Sequence, residues 1–199
     1  LCQKTLFLKN GKIVKYGPTN IVIEEYLKEN YDLVNNLASI SLKDRKDRKG
    51  NGSIYITSIQ IKSCYGSSLI YCNDCLEFEL TYEASRSFQD LSFMVGIYGS
   101  SYQPLYRLDS KDAGGIYGSL PLQGKLVCTT TPINLAPGLY WVNVAIMMGN
   151  CVLDHVEQAS SFYVEPMDFY CTGKLPPSNE VPCLLPQKWK IYDFTMSSV

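Results

Sequence analysis

The sequence predicts an all-β fold, an antiparallel β-sandwich, on three observations. Apolar residues alternate with polar ones in several short segments after Gly52, and Gly, Pro, Asn and Asp separate those segments. A period of two buries one face of each strand and exposes the other, as in a sandwich. With 46% hydrophobic and 19% charged residues, the 199-residue chain also has enough apolar side chains to form a core.

The alternating segments follow one another along the chain. The first segment slips out of phase at Thr57-Ser58, which indicates a β-bulge. Leu76–Glu83 alternates without a break. The inward residues of the other segments are Ile54, Ile56, Ile59, Ile61, Phe93, Val95, Ile97, Tyr140, Val142, Val144, Ile146, Phe162 and Val164. This pattern predicts a sandwich from about Gly52 to Glu165, followed by an extended tail.

The first residues predict a hairpin and a helix instead. Thr5–Leu8 and Lys12–Tyr16 are strand-like and flank Asn10-Gly11, a dipeptide typical of two-residue β-turns. Ile21–Leu27 predicts a short amphipathic helix after the break at Gly17-Pro18-Thr19. Its apolar face would carry Val22 and Tyr26, with Ile23 and Leu27 beside them.

A run of mixed charge separates the two regions. Lys43–Lys49 alternates basic and acidic residues and ends in Gly50-Asn51-Gly52. Such a run is typical of a solvated linker, and we expect residues 29–52 to be one. The alternative is a patch for an anionic ligand, which the interspersed aspartates weaken.

Charge and hydropathy exclude several function classes. The net charge of −1 and pI of about 5.9 supply no positive field for nucleic acid. The longest purely apolar run, Val144–Met148, is far shorter than the roughly 20 residues that span a bilayer. Leu1–Lys4 does not resemble the start of a signal peptide, and a first residue other than Met indicates a fragment. We expect a soluble module of a larger protein.

The eight cysteines favour thiols over disulfides or metal ligands. Small disulfide scaffolds are shorter and denser in cysteine than this chain, although Asn51-Gly52-Ser53 is a glycosylation sequon. Cys72–Cys75 is the one CxxC pair, and a zinc site needs a second pair at matching spacing. We therefore predict a reducing setting and no metal or other cofactor, with disulfides as the main alternative.

Catalytic patterns are absent or weak. The three Gly-Lys pairs are each followed by Ile or Leu and not by the Ser or Thr of a Walker A loop, so this chain should not hydrolyse ATP. The lone His155 is expected in a turn and is interpreted as a surface residue without a role. Glu77, Glu79 and Glu83 share the outward face of one strand. Glu77 and Glu79 are two residues apart, which is about 7 Å, and this keeps a glycosidase as an alternative.

An aromatic sheet face is the candidate binding site. A glycan presents apolar C–H faces and hydroxyl groups, so its site pairs aromatic rings with polar side chains. The strand parity turns these groups outward beside Gly96, whose missing side chain leaves a hollow. The predicted carbohydrate-binding residues are Trp141, Tyr98, Asn143 and Glu79 on the face, with Tyr106, Arg107 and Asp109 from the loop Tyr102–Asp109. The alternative is a face covered by the N-terminal segment or by a partner.

Two parts of the chain resemble known families. Leu6–Thr19 and Val22–Leu27 resemble the closing segment of an ABC ATPase domain. The remainder resembles the C-terminal domain of the Wzt-type ATPase subunits that export O-antigen and related polysaccharides. The matching pieces are Gly50–Ile56, Leu76–Tyr82, Ile133–Tyr140, Ser161–Glu165 and Phe169–Gly173, with Trp189 closing the series.

The resemblance implies an organisation and a function. Residues 1–28 would be the end of an ATPase domain, 29–52 a linker, and 53–199 an immunoglobulin-like sandwich. This domain would be non-catalytic and would recognise a lipid-linked polysaccharide in the cytoplasm, at the periphery of the inner membrane. It would dimerise and would work with the membrane subunit of the transporter. The alternative is a domain that only dimerises or docks. The cysteine content and the charged run depart from the family.

Overall fold

The computed structural model describes residues 3–9, 11–19, 21–23, 25–26, 40–67, 69–115, 118–176 and 181–191. Within these ranges the chain is almost entirely β. The strands are β1 Lys4–Lys9, β2 Lys12–Pro18, β3 Ile40–Ser41, β4 Ile54–Ser63, β5 Ile70–Tyr71, β6 Leu76–Ala84, β7 Leu91–Tyr98, β8 Pro104–Asp109, β9 Gln123–Thr129, β10 Gly138–Met148 and β11 Cys151–Glu165.

Two sheets form the sandwich. The four-stranded sheet has the order β3-β4-β6-β9, and the five-stranded sheet has the order β5-β11-β10-β7-β8. All neighbours are antiparallel except β5, which pairs parallel with β11. The inner faces of both sheets contribute to one apolar core, in which Phe78 and Ile59 meet Ile97 and Val142. The predicted all-β sandwich is confirmed.

The predicted parity is also confirmed along the central strands. Phe93, Val95 and Ile97 of β7 are buried. They alternate with Met94, Gly96 and Tyr98, which are half-buried. The inward residues of β10 are buried in the same way. The register of β4 against β6 shifts between Ile56 and Ser58, which is the β-bulge expected there.

The N-terminal hairpin has the predicted form. β1 and β2 pair antiparallel as a separate two-stranded sheet, and residues 19, 21–23 and 25–26 are helical. Val22 is buried, and the ring of Tyr26 packs edge-on against Phe7 with centroids 5.1 Å apart. Ile23 is exposed instead of sharing this face. Leu27 lies outside the described residues.

The prediction of a solvated linker over residues 29–52 is wrong for its second half, from residue 40 onward. β3 pairs with β4, and Leu42, which follows β3, is fully buried. Arg48 donates from Nη1 to both carboxylate oxygens of Asp154, each at 3.0 Å, and also reaches the carbonyls of Leu42 and Ile56. The sandwich therefore begins near residue 40, before the predicted boundary at 53.

Asp154 is a buried carboxylate with a full set of donors. It is 1% exposed, and its Oδ2 accepts the backbone N–H of Ile56 at 2.8 Å in addition to the Arg48 guanidinium. Burial raises the pKa of Asp154, although the Ile56 amide and the Arg48 guanidinium both favour its charged form. The carboxylate is thus held in place by Arg48 and by Ile56 of β4, which are both distant from it in the sequence.

Two predicted loops are strands. Residues 104–109 form β8 at the edge of the five-stranded sheet, although we expected a loop there. Asp154 and His155 lie within β11 and not in a turn. Asp154 sits opposite the buried Ile146, at an inward position where alternation calls for an apolar residue, and this obscured the strand.

The tail after β11 returns to the sandwich. Leu135 pairs with Cys183, and Leu184 is buried in the core. The hydroxyl of Tyr140 lies 2.7 Å from the carbonyl of Ala136 and 3.0 Å from that of Pro182, so it fastens the tail to β10. The predicted tail is therefore docked over residues 182–184, whereas Trp189 is exposed.

The first testable prediction concerns the buried ion pair. Arg48→Met leaves the Asp154 carboxylate buried without its cation, and breaking such a pair costs about 3–5 kcal/mol. We expect the free energy of unfolding to fall by about that amount in urea denaturation followed by circular dichroism. Arg48→Met/Asp154→Leu removes both charges and should recover part of the loss.

The matched control is Lys43→Met, which cuts an exposed pair with Glu83. Exposed pairs contribute little, so this variant should unfold at the wild-type urea concentration. An Arg48→Met variant as stable as Lys43→Met would contradict a structural role for the pair.

Candidate functional site

The outer face of the five-stranded sheet carries most of the candidate residues. Trp141 of β10 lies opposite Tyr98 of β7, and Asn143 lies opposite Gly96. Gly96 in turn lies opposite Arg107 of β8. Because residues opposite each other in a sheet point to the same side, these five form one outward-facing group.

A groove of about 320 Å³ crosses this face. Small residues lie in its floor, since Gly96 and Ala145 occupy adjacent strands. A Cβ at position 96 would lie 2.9 Å from a ring carbon of Tyr98, so a larger residue there would push this ring away. The lining residues are Met94, Val95, Gly96, Tyr98, Pro104, Leu105, Tyr106, Arg107, Asn143, Val144, Ala145 and His155.

Two stacked rings and an amide lie at the groove, of which Tyr98 and Asn143 line it. The rings of Tyr98 and Tyr102 are 4.8 Å apart and within 13° of parallel. The hydroxyl of Tyr102 lies 2.8 Å from Oδ1 of Asn143, and the same Oδ1 accepts the backbone N–H of Gln158 at 2.8 Å. The Gln158 N–H can only donate, so it identifies this atom of Asn143 as the oxygen.

Asn143 differs from its predicted role as an exposed contact. It points to the outer face as expected, but it is only 6% exposed, because Tyr102 and the irregular part of β11 pack over it. Its side chain holds neighbouring elements together as well as lining the groove.

Asp109 also differs from its predicted role. It is buried, and it accepts hydrogen bonds from the hydroxyl of Ser92, the backbone N–H of Lys111 and the guanidinium of Arg107. Burial acts to raise the pKa of Asp109, but these three donors together hold it below its ordinary value. Asp109 orients Arg107, whose own side chain is 62% exposed at the groove.

Two other candidates lie differently from the prediction, Glu79 on the other sheet and Tyr106 turned partly toward the core. Glu79 belongs to β6 of the four-stranded sheet, so its outward side chain lies on the opposite surface of the sandwich, contrary to the predicted shared face. Tyr106 lies opposite the buried Ile97 and packs partly against the core. Its strand was interpreted as a loop, and the parity of β8 was therefore not applied.

Trp141 keeps its predicted orientation but lies beside the groove. It is half-buried and directly opposite Tyr98, yet it is not among the lining residues. Trp141 therefore extends the aromatic surface past the groove end at Tyr98.

Three residues at the site were not among the predicted binding residues. They are Met94, Tyr102 and His155. Met94 and His155 line the groove, and Tyr102 stacks on the groove residue Tyr98. Met94 follows directly from the parity of β7. His155 lies opposite Ala145, and its position could have been found by extending the alternation of Val156 backward through β11. His155 was instead interpreted as a residue without a role.

The paired carboxylates do not suit a glycosidase. Lys62 lies 2.7 Å from Glu77 and 3.4 Å from Glu79, and Lys125 lies 3.4 Å from Glu79. Partial desolvation acts to raise the pKa of Glu79, but the two ammonium groups outweigh it and lower the pKa. A general acid needs a raised pKa, so the lowered pKa of Glu79 does not suit it to that role, and both carboxylates are paired with lysines at the surface.

Cysteine and metal chemistry are not evident in the described part of the chain. The seven cysteines there are free thiols, and those residues contain no group of three or more His, Cys, Asp or Glu side chains suited to a metal ion. Over the same ranges, no helix is long and apolar enough to cross a membrane.

The fold defines a class of protein: a β-sandwich domain, here with a groove on the outer face of one sheet. Residues 45–175 match the family model of the Wzt C-terminal domain, which is well over half of the chain. The chain therefore belongs to the Wzt C-terminal domain family. It is a domain of a polysaccharide-export ABC transporter.

A solved structure shares the fold. The crystal structure described as the C-terminal domain of Wzt matches with a TM-score of 0.59 at 19% sequence identity. The match covers 83% of this chain and 99% of the other. No curated protein matches the chain at a significant level.

The second testable prediction concerns Asp109 and pH. Its folded-state pKa lies below the ordinary value of about 3.9, so its contribution to stability is present above about pH 4 and is lost as the pH falls through the folded-state pKa. Asp109→Asn should therefore be less stable than wild type near neutral pH. The difference should shrink on acidification, as urea unfolding over a pH series would measure.

Asp112→Asn is the matched control, because Asp112 is exposed and lies 3.8 Å from the same guanidinium. It should show little difference from wild type at any pH. A pH-independent difference between wild type and Asp109→Asn would contradict the assigned donors.

Proposed function

We propose that this domain binds the exported polysaccharide, and that the groove on the outer face of the five-stranded sheet is the binding site. The observation that carries the proposal is the groove itself, which is lined by the small residues Gly96 and Ala145, by the ring of Tyr98 and by the guanidinium-bearing Arg107. Its volume falls at the lower end of the roughly 300–1,000 Å³ typical of ligand pockets. A short glycan segment fits that size.

The chemistry of the lining suits a sugar. The exposed part of Tyr98, continued by Trp141, offers an aromatic surface to an apolar C–H face. Arg107 offers N–H donors to hydroxyl or acidic groups. The Oδ1 of Asn143 already accepts two hydrogen bonds, so Asn143 contributes its Nδ2 as a donor. The groove thus combines apolar and polar groups, as a site that binds a glycan requires.

The wider assembly follows from the same proposal. The ligand would be a lipid-linked O-antigen-type polysaccharide, bound on the cytoplasmic side of the inner membrane. The domain would pair with a second copy and act with the membrane subunit of the transporter. Residues 1–28 would then be the end of the ATPase domain. The family membership and the resemblance of Leu6–Leu27 to ABC ATPases support this arrangement.

The third testable prediction concerns the aromatic surface. Trp141→Ala and Tyr98→Ala should each weaken glycan binding by about 1–3 kcal/mol, roughly 5- to 150-fold, if stacking on a sugar resembles other aromatic hot spots. Both side chains point outward from the sheet, so the fold should persist. Isothermal titration with lipid-free polysaccharide, alongside circular dichroism, measures both quantities.

Val127→Ala is the matched control, since Val127 is an exposed apolar residue on the outer face of the opposite sheet. It should bind like wild type. If Trp141→Ala unfolds the domain, or separates a dimer with glycan binding unchanged, the aromatic surface is structural or a docking site. Polysaccharide that is cleaved during the titration would instead favour an enzyme.

A further inference from the structure

One irregular stretch of β11 lies next to the groove, beside Asn143 of β10. β10 has a single residue, Asn143, between Val142 and Val144, whereas their partners on β11 are Ser160 and Val156. Residues 157–159 therefore form an enlarged β-bulge, and Gln158 has a left-handed backbone with a φ of 47°. A non-glycine residue adopts that conformation only where surrounding contacts hold it.

Two side chains hold the bulge. On one side, Asn143 Oδ1 accepts the N–H of Gln158. On the other, Arg45 donates from Nη2 to the carbonyl of Glu157 at 2.8 Å and from Nη1 to the carbonyl of Gln158 at 3.1 Å. The peptide groups of the bulge are thus bound by a residue of the groove and by a residue of the segment 43–49.

Arg45 is itself fixed in orientation. Its Nε and Nη2 each donate to a different oxygen of Asp47 at 2.7 Å. This two-point pair uses one edge of the planar guanidinium and directs the remaining N–H groups toward the bulge. A lysine at this position could not make the same set of contacts.

The contacts continue from the bulge into the groove. Gln158 is bound to Asn143, Asn143 to the hydroxyl of Tyr102, and the Tyr102 ring is stacked on Tyr98. Every step is a hydrogen bond at 2.8 Å or a ring contact at 4.8 Å. We propose that Arg45, which does not line the groove, is a positioning residue for it and sets the affinity of the groove for glycan through Gln158 and Asn143.

This proposal rests on the proposed function for its ligand, but its structural part stands alone. Arg45 belongs to the segment 43–49 between β3 and β4, so a change in the position of its guanidinium reaches the groove through Gln158 and Asn143. Coupling of this kind is reciprocal. Occupation of the groove by glycan therefore strengthens the hold of the bulge on Arg45.

The variants for the test are Arg45→Gln and Arg45→Lys. Lys46→Gln is the matched control, because Lys46 is the exposed neighbour and the change in charge is the same as in Arg45→Gln. Hydrogen exchange of the Gln158 amide and the NMR signals of the Asn143 side-chain amide report positioning without any ligand. Isothermal titration with lipid-free polysaccharide reports affinity.

We expect Arg45→Gln to speed hydrogen exchange of the Gln158 amide by at least about tenfold. The bulge then loses Arg45, one of the two side chains that hold it, and keeps only Asn143. The Asn143 amide signals should shift, and glycan affinity should fall about 5- to 20-fold, which is within the range for residues that act on a site without contacting its ligand. For Arg45→Lys, the exchange rate and the glycan affinity should lie between those of Arg45→Gln and wild type. Lys46→Gln should match wild type in every measurement.

A double-variant cycle separates positioning from a loss of overall stability. Tyr102→Phe keeps the stacked ring but removes the hydroxyl that contacts Asn143. In that background, Arg45→Gln should lower affinity by a smaller factor than in wild type, because the path to Tyr98 is already cut. Equal factors in both backgrounds would overturn the proposed path.

The possible failures are distinguishable. If wild type does not bind polysaccharide, the proposed function fails, and the Gln158 and Asn143 signals alone decide whether Arg45 positions the groove. If Arg45→Gln matches Lys46→Gln in those signals, the positioning role is overturned whatever the affinity. If the signals change but the affinity of Arg45→Gln equals that of wild type, the bulge does not control binding and the proposal is likewise overturned.

Discussion

The ion pair between Arg48 and Asp154 determines how the chain is arranged around the sandwich. Asp154 comes from β11 of the five-stranded sheet, and it also accepts the N–H of Ile56 from β4 of the four-stranded sheet. Arg48 adds the carbonyls of Leu42 and Ile56. A buried pair of this kind contributes little net stability but strongly disfavours any arrangement that separates its partners. It therefore fixes the segment 43–49 against both sheets at once.

The position of that segment has consequences on either side of Arg48. Gly50 passes so close to β11 that a Cβ there would lie 2.2 Å from the carbonyl oxygen of Leu153, and its φ of 129° suits glycine. Lys49 exchanges both backbone hydrogen bonds with His155. Three residues before Arg48, the side chain of Arg45 reaches the bulge at Gln158. The charged run that the composition indicates as a solvated linker is therefore packed against β11. Arg45, Arg48 and Lys49 each make their own contacts with that strand.

The sequence was sufficient for features that depend on local pattern, and insufficient for those that depend on distant partners. Alternation placed Phe93, Val95 and Ile97 inward and found the bulge at Thr57-Ser58, because both follow from a period of two. The same parity could say that Glu79 points outward but not on which sheet, since that depends on strand order. β8 and the first half of β11 were missed. A proline at residue 104 and an inward aspartate at 154 break the apolar pattern, and the aspartate is tolerated only because Arg48 arrives from elsewhere in the sequence.

The same reasoning explains why the candidate site lies on an outer face. The inner faces are filled by apolar side chains, whereas the outer face of the five-stranded sheet presents the small residues Gly96 and Ala145 beside larger ones and so forms a groove. Such a surface is useful only if its polar groups are already oriented before the ligand arrives. Asn143 has both accepting positions of its oxygen occupied and Arg107 is held by buried Asp109, so neither has to be reoriented on binding. The likeness to the solved Wzt domain establishes the fold alone, and it is this fixed arrangement of donors beside an aromatic ring that argues for a ligand rich in hydroxyl groups.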